Sequence, residues 1–167
     1  MLNIKLILNK NFMKLTVLQW RDLASALDSL SPKAHNTTAE ARKCIGSVEQ
    51  IRRSIVDELA ELENLQKRSA EIANPYRERI AELGPEKDDN DKTAAKRKKI
   101  VDEANAELKP LNDELNQLTA KFKTQEAEIE LDANYKDYIK SIWEKELRPL
   151  YVNTKEMLLV ADALGIK

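Results

Sequence analysis

The chain has 167 residues and a formal charge of −1, so no strong overall field draws it to nucleic acid or to an acidic membrane. Charged residues make up 34% and aromatic residues 5%, with only three Gly, which is a long-helix composition and excludes sandwiches or doubly wound sheets that need glycine turns. One cysteine, Cys44, rules out an internal disulfide and suits a reducing compartment, the cytoplasm.

Residues 1–12 read as an N-terminal extension ahead of a more convincing start at Met13. Lys5, Asn9, Lys10, Asn11 and Lys14 interrupt the apolar residues there. No uninterrupted stretch therefore approaches the roughly 18 residues of a membrane span. Leu15 and Val17 suit a short strand. A compact helix over 18–30 follows, with Leu23, Leu27 and Leu30 at helical spacing and Pro32 closing it. His35, the only histidine, falls in a polar loop and reads as a solvated residue.

Thr38 is the expected N-cap of a long helical arm. Its seam alternates steps of four and three through Val48, Arg52, Ile55, Leu59, Leu62, Gln66, Ser69, Ala73, Tyr76, Ile80 and Leu83. That pattern is a coiled-coil stripe. Pro75 lacks an amide hydrogen and predicts a kink or short break within the arm. Gly84-Pro85 ends it, and a turn over 84–92 leads to a return arm with Val101, Ala104, Leu108, Leu111, Leu115, Leu118 and Phe122. Neither arm can bury its stripe alone, so the two should fold into an antiparallel hairpin over 38–126.

Beyond the arm, 128–131 alternates polar and apolar residues and should pair with the strand near Leu15. A helix from about Asp132 carries Tyr135, Tyr138, Ile139, Ile142, Trp143 and Leu147, and Pro149 breaks it. Asn153 with Glu156 forms a capping-box start for a last helix that stops at Gly165. Segments 13–37 and 127–167 should make a small helical head, with Trp20 and Trp143 in its core, from which the hairpin projects. The fold class is mainly α with one two-stranded β element.

No catalytic chemistry is legible. One histidine permits neither a multi-histidine metal site nor a second base. Cys44 reads as a small structural residue, and Gly46, Gly84 and Gly165 lie too far apart for a phosphate loop. The expectation is a non-enzyme with no cofactor and no metal. The candidate partner-binding residues are Lys96, Arg97, Lys98 and Lys99, a basic run at a helix start where the macrodipole prefers anions. Ile51, Val56, Leu65 and Ile72 lie beside the seam and are the candidate self-association residues, implying a homo-oligomer.

The ends of the chain resemble a group of short tailed-bacteriophage proteins encoded among virion and tail-assembly genes. The likeness is carried by Met13-Lys14-Leu15-Thr16 leading into Trp20, Leu23, Ala26-Leu27 and Ser29-Leu30, and by Glu130-Leu131-Asp132 leading into Tyr135 and Tyr138-Ile139-Lys140. It implies an accessory protein made in the host cytoplasm, with protein partners and no site residues of its own. Two alternatives stand beside it. One is a nucleic-acid-associated protein using the basic run, and the other is a chaperone hairpin resembling prefoldin subunits.

Overall fold

The structure is a computed structural model that describes residues 12–88 and 90–166, so the extension expected over 1–12 lies outside it except at Phe12. Helices dominate, and the described residues fall into two compact units. One comprises the residues up to Val56 together with those from Phe122, and the other is Asp57–Lys121.

The unit formed by the two ends is built on the expected strand pair. β1 (Phe12–Thr16) and β2 (Glu126–Glu130) run antiparallel, with Met13 opposite Ile129 and Leu15 opposite Ala127. The pleat sends Met13, Leu15 and Ile129 into the core and leaves Lys14 outside, paired with Glu126. Thr16 then caps α1 (Val17–Asp28) through a reciprocal capping box with Gln19. α1 buries Trp20, Leu23 and Leu27, and the Trp20 indole N–H donates to the Ala127 carbonyl at 2.9 Å, tying helix to sheet.

The cap of α2 (Thr38–Ser54) lies one residue earlier than expected, because Thr37 and Glu40 form a second capping box. It buries Cys44, Ser47, Val48 and Ile51 in this same unit. The predicted 38–126 arm is therefore split, and its first seventeen residues belong with the ends. The split falls at Ile55 (φ −124°, ψ 30°), where no Gly or Pro announces it. The Ser54 hydroxyl donates to the Gln50 carbonyl one turn back, a bond that bends and ends helices. The turn keeps Ile55 buried and leaves Val56 exposed.

α5 (Ala133–Ile142) has Asp132 as its cap. In place of the single helix expected up to Pro149, the chain continues as a π turn, Trp143–Leu147, and a 3-10 turn, Arg148–Leu150. α6 (Thr154–Leu164) follows the predicted signals. Asn153 Oδ1 accepts from the Lys155 and Glu156 amides, and Gly165 ends the helix at φ 71°. Trp143, Leu147, Val160 and Leu164 complete the core, with both tryptophans buried as expected.

In the second unit α3 (Val56–Ala81) and the greater part of α4 (Asp91–Thr124) form the antiparallel hairpin. Cross-arm partners descend on one helix as they rise on the other: 68 with 114, 76 with 107, 79 with 103 and 84 with 97. The turn lies between them, inside 84–92 as predicted, with Gly84 at φ 78° and a 3-10 turn at Glu86–Asp88. Of the kink or short break expected at Pro75, the break does not occur. α3 runs through Pro75, an exposed residue, as one α-helix. Pro110 sits likewise inside α4.

The seam differs from the predicted one in phase. Leu62, Leu65, Ile100, Leu111 and Leu118 are the buried residues of this unit, while Gln66 and Val101 are exposed. The central columns are 62, 69, 76 on α3 and 104, 111, 118 on α4. Residues three and four positions beyond each central residue form the two flanks.

Candidate interaction surface

Of the candidate self-association residues, Ile51 and Leu65 are buried within the chain and present nothing to a partner. Ile51 lies in the core of the end unit because α2 belongs there. Leu65 and Ile72 occupy a flank of the seam, with Ile72 half-buried. Val56 alone of the four is exposed, at the break between α2 and α3.

The two flanks of the hairpin differ in chemistry. In an antiparallel pair, positions three beyond the central columns on both helices share one side of the layer, and positions four beyond share the other. The first side carries the cross-arm polar contacts. Arg68 lies 3.7 Å from Glu114 and Arg79 lies 3.0 Å from Glu103, while the Tyr76 hydroxyl bonds Glu107 beneath the Arg79 guanidinium. These pairs are about half exposed and each contributes at most about 1 kcal/mol. The second side carries Leu59, Ala73 and Ile80 from α3 with Val101, Leu108 and Leu115 from α4, all half-buried or exposed. Its edge on α4 carries the uncharged Asn105, Asn112 and Thr119, while the matching positions on α3 are Glu63, Ala70 and Arg77. The hairpin is thus amphipathic as a layer, a property hidden while each helix is read separately.

At the turn, the cap of α4 is Asn90, whose Oδ1 accepts from the Lys92 and Thr93 amides and the Thr93 hydroxyl. Its signal, an Asn just ahead of a helix, is present in the sequence. The basic run does not act as one patch. Four consecutive helical residues point around the whole circumference. Arg97 turns inward, half-buried, and donates to the Gly84 carbonyl at 2.9 Å, closing the turn. Lys96, Lys98 and Lys99 are exposed, with no ion pair among the described residues.

The end unit joins three residues that sequence reasoning kept apart. His35 is half-buried, and its Nδ1 lies 3.0 Å from the Tyr138 hydroxyl, so it is not the solvated loop residue expected. Tyr138 also meets the buried thiol of Cys44, which donates to the Leu27 carbonyl at 3.4 Å. Burial pushes both the Cys44 thiol and the Tyr138 phenol up. A thiol held protonated is a poor nucleophile and a poor metal ligand. Among the described residues no group of three or more His, Cys, Asp or Glu is placed to hold a metal ion, and no helix is long and apolar enough to cross a membrane. Comparison with family models, with curated proteins and with solved structures finds no match.

Proposed function

We propose that this chain is a non-catalytic helical interaction protein that self-associates through the apolar side of its hairpin. In keeping with the likeness of its ends to tailed-phage proteins, we assign it a role in the host cytoplasm, as an accessory factor in virion or tail assembly or as an inhibitor of a host system. The carrying observation is the amphipathic layer: Leu59, Ala73, Ile80, Val101, Leu108 and Leu115 lie half-buried or exposed on one side, opposite the ion pairs. A second copy suits this side for two reasons. A two-fold interface sets each surface against itself, and the apolar residues along the middle of this side meet their own copies without like-charge repulsion. The hairpin is also long enough, since about 27 residues per arm at ~1.5 Å rise and a width of about 20 Å cover about 800 Å² per partner, the size of a stable interface.

Light scattering of the full chain tests this. The intact protein should give about twice its 19.1 kDa chain mass at tens of micromolar. Leu108→Asp with Leu115→Asp should give the monomer, and Glu107→Lys with Glu114→Lys, on the other side, should leave the mass of the assembly unchanged. A monomeric intact protein would refute self-association.

The three exposed lysines at the turn favour a second reading, nucleic-acid association. The neighbourhood offers no aromatic for base stacking, which is why it stands second.

A further inference from the structure

We propose that the cavity between α1 and the 150–156 segment is a docking site for a partner protein, one that seats a single lysine or arginine side chain of that partner. The cavity belongs to the end unit and is independent of the hairpin's apolar side. Its volume is about 250 Å³, below the range of pockets that enclose a cofactor-sized ligand and suited to one long side chain.

Its chemistry is matched to such a side chain from stem to head. Ala26, Leu150 and Val152 supply apolar wall for methylene groups, which Lys and Arg bury along apolar surface while the charged head seeks polar partners. Asp22 and Glu156 supply two carboxylates, and no Lys or Arg lines the cavity. Arg21 does not satisfy Asp22, because its Nε and Nη2 both donate to Oδ1 and leave the other oxygen open. Arg148, the nearest arginine in sequence, is engaged by Glu144 at 2.6 Å.

The Tyr151 side chain lines the cavity as well, and its hydroxyl is buried and without a hydrogen-bond partner. A buried orphan of this kind is uncommon in a native protein. Behind it the Trp143 ring stands 5.5 Å from the Tyr151 ring, in a five-residue π turn followed by a 3-10 turn. Single π turns occur frequently at functional places. A macromolecular occupant is favoured over a small amine by the surroundings. Leu150, Val152, Leu158 and Leu159, four of the seven large apolar residues exposed among the described residues, fall within ten residues of chain here. Apolar residues concentrated in this way mark protein contact more often than small-molecule capture.

The test uses the full chain and short blocked peptides in which an arginine is flanked by leucines, compared with the same peptide carrying citrulline, its neutral isostere. Titration calorimetry should show the arginine peptide binding about tenfold more tightly, the difference expected for a charge-assisted contact. Asp22→Asn with Glu156→Gln should abolish that preference while leaving the thermal midpoint within a few degrees. Equal binding of the two peptides, no binding at millimolar concentration, or a preference that survives the double substitution would each overturn the proposal. Free ethylguanidinium binding as tightly as the peptide would overturn the protein partner in favour of a small cation.

Discussion

The Tyr151 hydroxyl sits in the fold as a buried donor lacking an acceptor, and such a group costs about 1–3 kcal/mol. Tyr151→Phe removes that cost and keeps the ring against Trp143. We expect the variant to be as stable as the parent or more stable by about 1 kcal/mol in urea denaturation. A clear loss of stability would mean that the hydroxyl finds a partner in solution. The same burial makes a prediction about pH. Cys44, Tyr138 and Tyr151 are all pushed up, with desolvation the leading cause in each. In the unfolded chain a thiol titrates near 8.5 and a phenol near 10. Above those values the folded state holds protons that the unfolded state has released, so stability falls as pH rises. It is fully present below about pH 8.5, and the denaturation midpoint should decline from about pH 9 to pH 11. Tyr138→Phe should flatten part of that slope. A midpoint constant over this range would show the groups to be solvated.

At the scale of elements, Gly46 is required for close packing of α2 on α5. A Cβ there would run into the Tyr135 ring, whose Cε1 would lie 2.9 Å away. Gly46→Ala gains about 1 kcal/mol of helix propensity but forces the ring aside at about 1–3 kcal/mol, so a net loss is expected by thermal unfolding. Gly46→Ala with Tyr135→Ala should recover the propensity gain relative to Tyr135→Ala alone. Gly84 differs in kind. At φ 78° nothing crowds its Cβ position, and Gly84→Ala should cost about 1–2 kcal/mol through backbone strain alone. The caps at Asn153 and Gly165, both strands and the hairpin turn were legible because each depends on residues a few positions apart. The seam's phase was not, because apolar residues fill both flanks of the central column: Leu59, Ala73 and Ile80 on one, Leu65 and Ile72 on the other. Periodicity alone cannot say which flank faces the ion pairs. The break at Ile55 was equally hidden, since it depends on where α2 packs. The groupings His35 with Tyr138 and Asp22 with Tyr151 join residues more than a hundred positions apart, and no local pattern announces them.

For the molecule as a whole, near-neutral charge leaves any affinity for nucleic acid to local clusters, and the basic run is the place to test it. Arg97 is committed to the Gly84 carbonyl, so three lysines remain. If Lys96, Lys98 and Lys99 each displaced one counterion from duplex DNA, the log–log dependence of affinity on salt would have a slope of about −2.7. Three contacts spread around one helix cannot all face the same groove, and none has a stacking partner. We therefore expect no micromolar binding to DNA or RNA at ~150 mM salt, and no change in self-association when the three lysines are replaced by Glu. Replacing Arg97 in addition should behave differently, lowering the thermal midpoint because it unties the turn from α4. Fluorescence anisotropy with a labelled duplex, read across a salt series, separates the cases. Micromolar affinity lost on Lys→Glu replacement would transfer the function to the hairpin turn and displace the apolar side from its leading place.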